Sequence, residues 1–84
     1  MSIQESLDRI PAGETVIVER VEVEGDIRRR FLDLGLVENT RVECIGKSPG
    51  GDPAAYLIRG AVIAIRAKDC RRIFVRRITA EELI

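Results

Sequence analysis

Few side chains in this sequence could do chemistry, and their spacing decides against most of it. There is no histidine, which removes the commonest general base and metal ligand. Cys44 and Cys70 stand 26 positions apart with no other cysteine, so no CxxC pair exists to build a thiolate zinc site. Asp33, Asp52 and Asp69 are the acids nearest turns and could offer oxygens to a hard cation. Each also has an ordinary structural use, as an ion pair, a turn acceptor or a helix-turn cap. Gly50-Gly51 lacks the Gly-Lys-Ser/Thr of a phosphate loop, and Ser48 has no base to activate it. The expectation is a chain that is not an enzyme, with no catalytic residues, no metal site and no cofactor.

What remains is the chemistry of recognition. The stretch Asp26-Ile-Arg-Arg-Arg-Phe-Leu-Asp-Leu-Gly-Leu36 is the only one with a convincing helical period. With Ile27 at zero on a helical wheel, Phe31 and Leu34 fall within about 40°, because i, i+4 and i+7 share a face. Arg29 and Asp33 lie opposite, at the i, i+4 spacing that lets charges pair. Leu32 falls about 140° from Ile27, off the core face and among the arginines. Asp26 is the expected N-cap and Gly35 the expected stop, since glycine enters the left-handed region without steric cost. Leu36 then closes the stop back onto the last turn. The candidate partner-binding residues are the helix and its exit: Arg28, Arg29, Arg30, Leu32 and Leu36.

The elements that hold this helix are strands. Residues 1–13 read as a lead-in, with Ser6 capping one helical turn that turns Leu7 and Ile10 inward before Pro11-Ala-Gly13 reverses the chain. Thr15 to Val23 is β-branched and reads as a strand. Its parity breaks between Val16/Val18 and Val21/Val23, which either a bulge near Glu19–Arg20 or strong coiling in a small barrel would resolve. Asn39 suits a positive φ after the helix. Arg41–Lys47, Ala55–Arg59, Ala61–Arg66 and Arg72–Arg76 read as further strands. Ser48–Pro53 is the strongest turn, and Lys68–Cys70 a single helical turn. Thr79 with Glu82 gives the tail a capping pattern, with fraying expected there. The fold class is all-β with one short inserted helix, a small SH3-like five-stranded barrel. All 84 residues form one domain, with its core at about 6–76 and a tail at 77–84.

Composition narrows the partners. A chain this short buries only roughly 60–65% of its unfolded surface, which leaves no room for separate substrate and cofactor lobes. Apolar content is 45%, but Phe31, Tyr56 and Phe74 are the only aromatics, too few to line a polyproline groove. The net charge is zero, yet residues 1–27 hold seven acids against two bases and residues 59–77 hold seven bases against one acid. Polarised halves suit docking on a protein better than general nucleic-acid binding. With no basic, apolar leader and no apolar run long enough to span a bilayer, a cytoplasmic chain with free, buried thiols is expected.

The ordered set Leu7…Ile10-Pro-Ala-Gly13, Arg29-Arg30-Phe31-Leu32-Asp33-Leu34-Gly35-Leu36, Ser48-Pro-Gly-Gly-Asp-Pro53, Tyr56-x-Ile58-x-Gly60 and Ile63-Ala-Ile65-Arg66…Cys70-x-x-Ile73-x-Val75 resembles the ferrous iron transport protein A (FeoA) family from about Ser6 to Val75. Glu38-Asn39 stands where that family has Pro-Gly, and Cys70 where it often has alanine. The resemblance implies an SH3-like barrel in the bacterial cytoplasm, a non-enzymatic accessory that docks on and modulates the membrane-embedded, GTP-hydrolysing Fe2+ transporter, FeoB. It implies neither nucleic-acid binding nor insertion into the membrane, and it leaves room for a homo-oligomer. Two alternatives stand beside it. One is a nucleic-acid binder using Arg66, Lys68, Arg71, Arg72, Arg76 and Arg77. The other is a self-associating module whose acidic first half meets the basic second half.

Overall fold

The computed structural model describes residues 4–83; the first three residues of the lead-in and Ile84 of the tail lie outside them. Eight elements follow in chain order: β1 (Glu5–Ser6), β2 (Thr15–Val21), α1 (Gly25–Asp33), β3 (Arg41–Lys47), β4 (Ala54–Ile58), β5 (Ala61–Ile65), α2 (Ala67–Cys70) and β6 (Ile73–Arg77). Single 3₁₀ turns, Leu7–Arg9 and Ala80–Leu83, flank them. The sheet runs β1-β6-β2-β3-β4-β5, antiparallel throughout, and among the described residues its two ends do not pair. The barrel is therefore open, and it has six strands where five were expected. The added β1 is only a two-residue patch against Phe74 and Val75, too short to leave a period in the sequence.

The alternating side chains of β2, β3, β4, β5 and β6 converge on one core: Val16, Val18, Val42, Cys44, Tyr56, Ile58, Ile63, Ile65, Ile73 and Val75. Leu7 and Ile10 turn inward onto it as expected, and both are fully buried. Tyr56 is fully buried too, its hydroxyl 3.5 Å from the Cys70 thiol, so the polar tip of the largest core side chain is not orphaned. Both cysteines are free and buried. Burial pushes the Cys70 thiol up to about 11 and raises that of Cys44, so neither is a ready nucleophile.

The expected bulge falls between Val18 and Arg20, where the register of β2 on β6 shifts. It brings Val21 onto the same core as Val16 and Val18, which the alternation of a regular strand would not do. Ile17 lies outside the core cluster, opposite both Arg41 and Arg76. Those two arginines hold the C-terminal turn over that face. Arg76 grips the Glu82 carboxylate through two bonds of 2.6 Å, and Arg41 donates to the Glu82 carbonyl. Glu82 also accepts from the Thr79 backbone N–H at 3.0 Å. The tail is thus tied down rather than frayed, by the capping pattern of Thr79 and Glu82 together with two arginines of the sheet.

Four local expectations need correction. Asp26 does not cap α1: the helix begins at Gly25, after Glu24, and no side chain caps it. Asp26 instead sits in the first turn, where a carboxylate faces the positive end of the helix. Ser6 precedes the first 3₁₀ turn but bonds the Asp8 carboxylate rather than a backbone N–H. Among the described residues Asp33 forms no ion pair with Arg29, and no side chain of α2 caps its own start. Asp52 reaches across from the β3–β4 loop to accept the Ala67 N–H at 2.9 Å.

Candidate docking surface

The stop of α1 sets the geometry of everything around it. Leu36 N–H donates to the Phe31 carbonyl at 2.9 Å, and Gly35 N–H donates to the Leu32 carbonyl at 3.0 Å. This 6→1 and 5→2 pair is a Schellman motif, which requires a left-handed residue at its hinge; Gly35 supplies it with φ of 90°. The accompanying apolar contact is met because Phe31 and Leu36 are both buried in the core. Ile27 and Leu34 pack on the same core from the helix side, as its period predicts. The chain beyond the stop is fastened to the β2 bulge. Asn39, at φ of 70°, donates to the Val18 carbonyl at 2.7 Å, and Val18 N–H donates to the Thr40 carbonyl at 2.9 Å.

Between the outer side of α1, the end of β2 and this exit runs a shallow groove. Arg28, Leu32 and Leu36 line it from the helix side, and Arg20, Val21, Val37 and Glu38 from the strand and exit. Leu32 is the apolar feature of its rim, 46% exposed. Covering the rest of that side chain is worth roughly 1 kcal/mol, half of what full burial of a leucine yields. Arg28 is oriented by donating to the Val21 carbonyl at 3.0 Å, across the groove. Arg20 is fixed three ways: by Glu22 at 2.6 Å, by the Gln4 side chain at 3.2 Å, and over the Phe74 ring at 4.7 Å.

The structure divides the five candidate residues. Arg28 and Leu32 come together in the groove. Arg29 and Arg30 are exposed but line no part of it, Arg30 lying about 160° from Leu32 around the helix. Leu36 is fully buried, so it shapes the floor and offers no side-chain surface to a partner; this corrects its expected contact role. Arg20, Val21, Val37 and Glu38 were missed. The parity break that marks the bulge was their only sequence signal.

The basic second half is partly spent inside the chain. Arg77 pairs with Glu5 at 3.0 Å and with Glu14, and Arg76 with Glu82. The acidic and basic segments therefore meet within one chain, which removes two of the six cations a nucleic acid would need. Among the described residues no three histidine, cysteine or carboxylate side chains converge, and no helix is long and apolar enough to cross a membrane.

An open antiparallel barrel with a helix inserted between its first long strands defines a small SH3-like domain. The chain matches the FeoA domain over residues 5–77 and belongs to the FeoA family, which is associated with Fe2+ transport. Two solved FeoA structures show the likeness. The FeoA protein from Chlorobium tepidum superposes with a TM-score of 0.85 at 29% identity, covering 89% of this chain and 71% of its own. The zinc-complexed FeoA of Stenotrophomonas maltophilia, described as a procaryotic SH3 domain protein, gives 0.75 at 28% identity, covering 86% and 89%. A third relative is the Fe(2+) transport protein A/Fe(2+) transporter FeoB fusion protein of Porphyromonas gingivalis, 28% identical over 74 residues. That match takes in 88% of this chain but only 9% of the fusion protein.

Proposed function

We propose that this chain is a non-enzymatic cytoplasmic accessory of ferrous iron uptake, which docks on the cytoplasmic side of the membrane GTPase-coupled Fe2+ transporter, FeoB, and modulates it. The observation that carries this reading is the fused relative, in which a segment similar to this chain is covalently joined to the transporter. Fusion holds two modules at high effective concentration, an arrangement that serves modules acting on each other. The groove beside α1 supplies the chemistry. It offers one exposed leucine on an apolar floor, bordered by two oriented arginines, which suits an apolar side chain with acidic neighbours on a partner helix. Modulation then comes from binding differently to the transporter's states, and a surface without catalytic groups can do that.

The test is a pull-down of the transporter's soluble cytoplasmic region by the wild-type chain and by Leu32→Asp. Leu32 is exposed, so the substitution leaves the fold intact, and loss of capture is the expected result. Full retention by Leu32→Asp would remove the groove from the interface, and failure of the wild-type chain to capture the region would remove the docking itself.

A further inference from the structure

A second surface, independent of the groove, lies at the open end of the sheet. Among the described residues β5 has β4 as its only hydrogen-bonded strand neighbour. Sheet ends are ordinarily blunted by charge, proline, a bulge or a covering element, because a bare row of N–H and C=O groups templates another strand. β5 has none of the first three. Gly60 to Ile65 carries no charge and no proline, and its pairing with β4 runs without a register shift. Ala61, Val62 and Ala64 are exposed, and Val62, at 65%, is the most exposed large apolar side chain among the described residues. The apolar surface continues inward across the outer face. Val62 lies opposite Leu57, Ala64 lies opposite Ala55, and Ile45 at the β3 bulge is 45% exposed.

The charges at the two ends of β5 say what could cover it. Arg59 precedes it and Arg66 and Lys68 follow; all three are exposed and form no ion pair among the described residues. A second copy laid antiparallel on residues 61–65 would set Arg66 opposite Gly60, one position from Arg59 though on the other face, and so gather cations at both ends of the new ladder, where they repel. A parallel copy would set each arginine beside its twin. Like charges so placed destabilise a strand pair, whereas acidic residues there stabilise it. We propose that β5 is a strand-addition site for an extended segment of another protein, apolar at alternate positions and acidic at its ends. Main-chain hydrogen bonds along β5 would provide affinity, and Arg59, Arg66 and Lys68 would select the charge.

The probe is a synthetic peptide of alternating valine and threonine with aspartates at both ends, titrated into the isotope-labelled chain and followed by amide shifts and amide exchange. The expected result is shifts confined to residues 60–66 and their neighbours on β4, with slowed exchange along β5. The same peptide with lysines at its ends should bind about tenfold more weakly or worse, since like charges replace opposite ones at both ends. Val62→Lys with Ala64→Lys, both at exposed positions, should abolish binding while leaving the unfolding midpoint nearly unchanged. If the double variant folds poorly, the two peptides on the wild-type chain still decide. The proposal is overturned by equal binding of the two peptides, by shifts centred on Leu32 instead of β5, by no shifts at all, or by concentration-dependent broadening of β5 in the chain alone, which would identify a second copy.

Discussion

Replacing Gly35 with alanine tests the stop that orders the groove. Gly35 sits at φ of 90°, where an L residue is strained, and that alone costs about 1 kcal/mol or a little more. A Cβ there would also run into Arg59 Cδ and come within 3.3 Å of Cγ. Arg59 is exposed and flexible, so its stem can swing aside, and this collision adds only a few tenths of a kcal/mol. The expected total for Gly35→Ala is about 1–2 kcal/mol, or a drop in Tm of about 5–15 °C in a domain of this size. The assay is urea and thermal unfolding of Gly35→Ala, Arg59→Ala and the double variant. In the Arg59→Ala background the cost should shrink slightly and stay near 1 kcal/mol, because the backbone strain persists. A loss below about 0.5 kcal/mol for Gly35→Ala would refute the left-handed stop. A cost that vanished with Arg59→Ala would assign it to collision alone.

Other outcomes follow from burial and charge. Ile58→Ala empties a fully buried site and should cost about 2–4 kcal/mol, while Val62→Ala on the exposed edge should stay within about 0.5 kcal/mol, both read from urea midpoints. Arg76, with help from the Thr79 N–H, holds the Glu82 carboxyl at about 2, below its ordinary 4.5. A lowered folded-state value stabilises above the unfolded one, so the tail's anchoring is complete above about pH 4.5 and is lost as pH falls toward about 2. Amide shifts of Thr79 should follow that titration, and Glu82→Gln should remove it. Cys70, buried and with its thiol pushed up to about 11, should resist iodoacetamide at pH 8 until denaturant is added; rapid labelling of the native chain would contradict its packing.

The fold was legible where physics is local. The β2 bulge showed as a break in parity among β-branched residues, the helix stop as Gly35 before an apolar residue, and the Asn39 turn as a side chain tolerant of positive φ. What was illegible depends on partners far away in the chain. β1 exists only because β6 lies beside it. Asp52 caps a helix 15 positions on, and Glu82 meets Arg41 across 41. Leu36 closes the helix stop back onto Phe31 as its position after Gly35 implied, and the completeness of that burial, which no local pattern shows, is what removes it from the contact surface. The far wall of the groove, Val21 with Val37 and Glu38, is created by tying the helix exit to the bulge, which no window of sequence contains.

Whether the α1 groove meets the transporter is decided most simply by titrating the isotope-labelled chain with the soluble cytoplasmic region of its Fe2+ transporter and mapping the perturbed amides. Shifts should centre on Val21, Arg28, Leu32, Val37 and Glu38, and Leu32→Asp should abolish them. Saturable binding that leaves those residues untouched, or no binding at all, would contradict the account.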